Sequence, residues 1–91
     1  MSEIVKLEYP DGIPRRLLKR RLTTQEASEY LAEAHNLKLS ASTLEKLRSR
    51  GGGPSFLKFR GVAVVYQREA LDEWVALQLG EPVASTSELT N

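Results

Sequence analysis

The stretch from Ser40 to Arg50 combines an apolar stripe with side chains that can donate hydrogen bonds. Ala41, Leu44 and Leu47 recur three residues apart, which predicts the buried side of a helix. The remaining positions favour a polar outer side that carries hydroxyls and cations, formed by Ser42, Glu45, Lys46, Ser49 and Arg50. Hydroxyl, ammonium and guanidinium groups at such positions can bind base edges and phosphates.

An ordinary solvated surface helix is the alternative interpretation of this stretch, because cationic helix faces are usually only hydrated. Arg48 borders the apolar stripe, so we assign it a structural role first. The neighbouring segments must therefore decide between the two interpretations.

Charge is unevenly distributed along a chain that is almost neutral. The 91 residues carry 13 Lys and Arg against 12 Asp and Glu. Residues 14–21 contain no acid but five cations, Arg15, Arg16, Lys19, Arg20 and Arg21. Residues 38–60 contain six cations against Glu45 alone. Because the acids gather in the first and last predicted helices, the fold can present a basic face.

Several classes of function are disfavoured by composition. The chain has no cysteine and a single histidine, His35, so we expect no disulfide, metal or cofactor site. There is no apolar run of about 20 residues and no signal-peptide core, so we expect a cytoplasmic protein that is not in a membrane. We also expect no catalysis, because no nucleophile–base pair is evident. The run from Gly51 to Pro54 lacks the Gly-Lys-Ser/Thr ending of a phosphate-binding loop.

The N-terminal residues give an ambiguous pattern. Apolar and polar residues alternate from Ile4 to Tyr9, which predicts a short strand, and residues 10–12 form a turn signal. The basic run that follows could be a second strand, one helical turn or a flexible arm. Its cations are either simply solvated or contact DNA backbone. We expect residues 1–21 to be an extension, 22–80 the domain and 81–91 a disordered tail.

Helix signals become clear from Thr23. Thr23 and Glu26 form a capping box, followed by an apolar stripe and by Asn36 as a left-handed closing residue. A second helix begins with Ser40 as N-cap, or two residues later, and ends at Gly51. The short connection between the two helices is typical of a helix-turn-helix.

The C-terminal half predicts a hairpin and a third helix. Residues 56–59 and 62–66 are β-rich and are separated by Arg60-Gly61, so they should pair. The third helix starts at Gln67, and we expect Trp74 to be the central aromatic residue of the core. The predicted fold is α+β, a small winged helix-turn-helix with three helices and a two-stranded wing.

The residues of this pattern resemble the excisionase-type helix-turn-helix family, which is related to the mercury-resistance regulators. The resemblance covers residues 22–77 and rests on the segments LTTQEASEYL, LSASTLEKLRSRGGGPSFLKF and VVYQREALDEWV. The family pattern falls on Leu22, Thr23, Glu26, Ala27, Ser40, Thr43, Leu44, Gly51, Pro54, Tyr66, Leu71 and Trp74. The family often has an arginine just after the wing glycine, where this chain has Val62.

The resemblance implies a DNA-binding protein whose second helix enters the major groove. It assigns groove contacts to Ser42, Thr43, Lys46, Ser49 and Arg50, and wing contacts to Lys58 and Arg60. It implies a recombination directionality factor of a mobile genetic element, or else a small transcription regulator. The implied partners are double-stranded DNA, an integrase and further copies on adjacent DNA sites, in the cytoplasm at the nucleoid. A protein-interaction adaptor is the alternative from another class.

Overall fold

The computed structural model describes residues 12–80 and 82–84, which form an α+β fold. Three helices, α1 to α3, are Thr24–His35, Ala41–Arg50 and Arg68–Leu79. Three short strands, β1 to β3, are Arg21–Leu22, Leu57–Phe59 and Ala63–Gln67, and a 3₁₀ turn spans Arg15–Leu17. The predicted winged helix-turn-helix architecture is confirmed. The strand predicted at Ile4–Tyr9 lies outside the described residues, and so does most of the predicted tail.

Local signals set the bounds of α1 and α2. Thr23 Oγ1 accepts a hydrogen bond from the Glu26 amide at 3.1 Å, and Glu26 Oε1 accepts one from the Thr23 amide at 3.0 Å, so the capping box is confirmed. Asn36 ends α1 with a φ of 57°. Ser40 Oγ then accepts from the Thr43 amide at 3.1 Å, which makes Ser40 the N-cap of α2.

Tyr66, rather than Trp74, is the central aromatic residue of the core. Tyr66 is completely buried with Leu31, Leu44 and Leu71. Trp74 lies at the edge of this cluster, where its Nε1 donates to the Gly52 carbonyl at 2.9 Å. The prediction for Trp74 was therefore wrong. The buried line of α3 runs through Leu71 and Val75, which leaves the indole at the border with a polar partner for its N–H.

The segment before Leu22 packs into the domain and is not a flexible arm. Ile13 and Leu17 are buried in the same core as Leu22, so the packed unit reaches beyond the predicted boundary. The 3₁₀ turn that buries Leu17 matches the helical-turn alternative for the basic run. Strand β1 follows it and pairs antiparallel with β3, which gives a three-stranded sheet in the order β1-β3-β2.

Candidate nucleic-acid interface

The outer side of α2 has the polar character predicted for it. Ser42, Lys46, Ser49 and Arg50 are exposed, together with Glu45. Thr43 differs from these residues, because it is half-buried and its Oγ1 lies 3.0 Å from Ser40 Oγ. The Thr43 hydroxyl therefore participates in the cap at the start of α2.

Arg48 fixes α2 to the first helix and to the sheet. Its Nη1 donates to Thr24 Oγ1 at 3.1 Å and to the Tyr66 hydroxyl at 2.8 Å. Its guanidinium carbon lies 5.7 Å from the Phe56 ring centroid and 5.9 Å from that of Tyr66, within cation–π range. The structural role predicted for Arg48 is confirmed, because its guanidinium group makes its contacts within the fold.

The glycine-rich loop after α2 is held by contacts on both sides. Gly53 packs so closely on α2 that a Cβ at this position would lie 2.7 Å from Leu47 Cβ. On the other side the indole of Trp74 donates to Gly52, and Pro54 is buried. These contacts fix the point at which the chain leaves α2 for β2. Sequence reasoning identified the glycines as a break but not as a packing surface.

The hairpin of β2 and β3, here called the wing, has a tight turn at its tip. The Val62 amide donates to the Phe59 carbonyl at 3.1 Å. Arg60 and Gly61 between them have φ values of 56° and 75°, as a turn of the type I′ kind requires. Val62 was predicted to begin the second strand but belongs to the turn, because Phe59 pairs with Ala63.

The wing and α2 meet in a hollow lined by both elements. Its lining residues are Glu45, Arg48, Ser49, Phe56 and Lys58. The structure therefore brings Lys58 beside the predicted contact Ser49 of α2. Arg60 is exposed at the tip of the wing, with its side chain outside this hollow.

Two cations of the N-terminal basic run are paired with acids of α1. Arg16 Nη1 lies 2.6 Å from Glu29 Oε1, and Lys19 Nζ lies 2.7 Å from Glu26 Oε2. The hydrogen bond from Arg16 lowers the pKa of Glu29, and the one from Lys19 lowers the pKa of Glu26. The flexible-arm alternative does not hold for these two residues, because the acidic edge of α1 binds them. Arg15, Arg20 and Arg21 have exposed side chains.

An additional polar cluster joins α1 to α3. Asp72 Oδ1 accepts a hydrogen bond from the Tyr30 hydroxyl at 2.8 Å and lies 2.7 Å from His35 Nε2. Burial, reinforced by the bond to Asp72, raises the pKa of Tyr30 to about 12, so the phenol keeps its proton at neutral pH. His35 is the last residue of α1, as predicted. Its contact with Asp72 was not foreseen, because no local pattern links residues 37 positions apart.

No family model matches the chain, and no curated protein is significantly similar to it. In residues 12–80 and 82–84, no helix is long and apolar enough to cross a membrane. The same residues contain no cluster of three His, Cys, Asp or Glu side chains that could hold a metal ion.

Proposed function

We propose that this protein binds double-stranded DNA at specific sites, with α2 in the major groove and the wing along the adjacent backbone. The observation that carries the proposal is the exposed row Lys46, Ser49 and Arg50 on α2, next to Lys58 of the wing. Arg and Lys on a helix in the major groove pair naturally with guanine O6 and N7.

The distribution of paired and exposed charges supports this orientation. Arg16 and Lys19 are neutralised on α1, and Arg48 is committed to Tyr66 and the core edge. Lys46 and Arg50 are exposed on α2, where Glu45 is the only acid. Binding through this face avoids the carboxylates of α1, which would repel phosphates.

We infer further that the protein is a recombination directionality factor of a mobile genetic element, acting with an integrase. A small transcription regulator is the second candidate, since the same DNA-binding face serves both roles. A module of this size buries only roughly 600–1,000 Å² on DNA, so several copies on adjacent sites are expected.

Selection of binding sites from a pool of random duplexes tests the proposal. We expect the pool to converge on one sequence, and repeats within it will report how copies are arranged. The selected duplex should bind at least about 10³-fold more tightly than random duplex at physiological salt. A pool that does not converge, with equally weak binding to every duplex, would contradict the proposal. The adaptor alternative predicts that outcome, and the exposed Leu77 and Leu79 of α3 are the surface that would then be tested.

A further inference from the structure

The tip of the wing exposes large apolar side chains that the core does not use. The exposed fraction rises along the hairpin, from 46% at Leu57 to 66% at Phe59 and 82% at Val62. None of the three belongs to the core cluster or packs against it. Packing in the core therefore does not explain why Phe59 and Val62 lie on either side of the turn.

Strand pairing places Leu57 and Phe59 on one continuous apolar face of the wing. Leu57 pairs with Val65 and Phe59 with Ala63, and alternate residues of a strand lie on the same side of a sheet. This face is opposite the one that buries Tyr66. Arg60 follows Phe59 directly in the turn, so a cation adjoins the apolar tip. An apolar tip beside cations suits a partner that has stacked apolar surfaces between two lines of anions.

We propose that the tip of the wing is an apolar wedge, in which Phe59 inserts between two base pairs from the minor groove and kinks the duplex. This inference rests on the proposed function, because α2 must first place the wing on DNA. Proteins that bind the minor groove use phenylalanine and other apolar side chains in this way, partly unstacking one base step. Val62 contacts the walls of the groove, while Arg60 and Lys58 bind the flanking phosphates.

The cations on either side of the tip favour DNA as its occupant. Lys58 pairs with Val64 and lies in the hollow on the Tyr66 side of the hairpin, whereas Phe59 lies on the opposite side. Arg60 stands in the turn next to Phe59, so cations flank the apolar tip. A second copy of the chain that covered the tip through its own apolar face would have to accommodate Arg60 as well. Self-association is therefore treated as an outcome of the test.

The experiment uses the full chain and the duplex recovered by selection, labelled at its ends for energy transfer and carrying 2-aminopurine at successive steps. Phe59→Ala is compared with wild type and with Leu77→Ala, which removes another exposed apolar side chain from α3. Because Phe59 makes no core contact, the variant should melt like wild type. We expect wild type to shorten the end-to-end distance and to brighten 2-aminopurine at one step.

Phe59→Ala should lose both signals and bind about tenfold more weakly, as expected for removal of one base–aromatic stack. Leu77→Ala should behave as wild type. If Phe59→Ala binds and bends the duplex as wild type does, the wedge is wrong while DNA binding stands. If Phe59→Ala instead abolishes self-association of the free protein, the tip is a protein interface and the wedge is also wrong. If wild type does not bind the duplex, the proposed function and the wedge both fail.

Discussion

Tyr66 and Arg48 couple the core to the candidate interface through a single hydrogen bond. The Tyr66 ring is buried against the helices, and its hydroxyl accepts from Arg48 of α2 at 2.8 Å. Buried rings set stability, whereas the guanidinium sets the position of α2 against the sheet. Truncation of these side chains should therefore have different consequences from loss of the exposed cations.

We expect Tyr66→Ala to lower the free energy of unfolding by about 3–5 kcal/mol, as other large aromatic truncations in cores do. Trp74→Ala should cost less, because the indole is only half-buried. Tyr66→Phe should cost about 1 kcal/mol, since only the hydrogen bond to Arg48 is removed. Denaturant unfolding of the three variants provides the comparison. A larger loss for Trp74→Ala than for Tyr66→Ala would contradict the assignment of the central aromatic.

Acid should destabilise the protein in part through Glu26. The hydrogen bond from Lys19, followed by that from the Thr23 amide, holds the pKa of Glu26 below its ordinary value of 4.5. A lowered folded-state pKa adds stability that is complete above the unfolded pKa and is lost as the pH falls through the folded value. Glu26→Gln keeps a side-chain acceptor for the cap but cannot titrate. Its melting temperature should fall less than that of wild type between about pH 5 and pH 3. Equal slopes would show that Glu26 is not linked to folding.

The difference between Trp74 and Tyr66 shows the limit of sequence reasoning for single side chains. Helical spacing correctly placed Leu71 and Val75 on the buried side of α3. It could not show whether Trp74 or Tyr66 is more deeply buried. Tyr66 lies on a strand, and tertiary packing decides which face of that strand meets the core. The hydrogen-bond partners of Arg48 and Asp72 also depend on tertiary packing, because they are distant in sequence.

The loop between α2 and the wing sets how these two elements meet. Gly53→Ala would place a methyl group 2.7 Å from Leu47 Cβ, so either the loop or α2 must move. We expect a loss of about 1–3 kcal/mol, as for other overpacked sites. Ser55→Ala, at an exposed position in the same loop, should be nearly neutral. Thermal melts distinguish the two, and a neutral Gly53→Ala would show that this packing is not required.

Arg60 at the tip of the wing should contribute affinity without selecting sequence. Asn is preferable to Ala as the replacement, because Asn tolerates the positive φ of 56° at this position. We expect Arg60→Asn to weaken binding to selected and random duplexes by a similar factor. The slope of log K against log salt should fall by about 0.9, since the variant can no longer neutralise one phosphate. Anisotropy titrations measure both quantities, and a change in the preferred bases would show that Arg60 reads sequence.

At the level of elements, the sequence predicted more than it did for single contacts. The capping box at Thr23 and the left-handed Asn36 are local devices, and the structure confirms both. The predicted wing turn was one residue too short. The pairing of Phe59 with Ala63 depends on strand register, which the Arg60-Gly61 signal does not reveal. The short strand β1, which begins at the end of the basic run, matches the strand alternative left open for that run and pairs with β3.

At the scale of the whole fold, the cations of residues 12–80 include some that are paired within the fold and others that are exposed on α2 and the wing. The sequence revealed the two basic runs but could not show that Arg16 and Lys19 of the first run pair with α1. That pairing depends on Leu17 anchoring the segment in the core. Arg16 and Lys19 are thus used within the fold, as Arg48 is in the second run, while Arg15, Arg20 and Arg21 stay exposed.

Binding of two double variants to the selected and random duplexes tests this division most directly. Lys46→Ala with Arg50→Ala and the control Arg16→Ala with Lys19→Ala each remove two positive charges. The first pair should lose roughly 1–3 kcal/mol per base contact on the selected duplex and less on random duplex, so the specificity ratio falls. The control should keep the wild-type ratio, because its cations are paired with Glu29 and Glu26. An unchanged ratio for Lys46→Ala with Arg50→Ala, or equal losses for both pairs, would contradict the assignment of α2 as the reading helix.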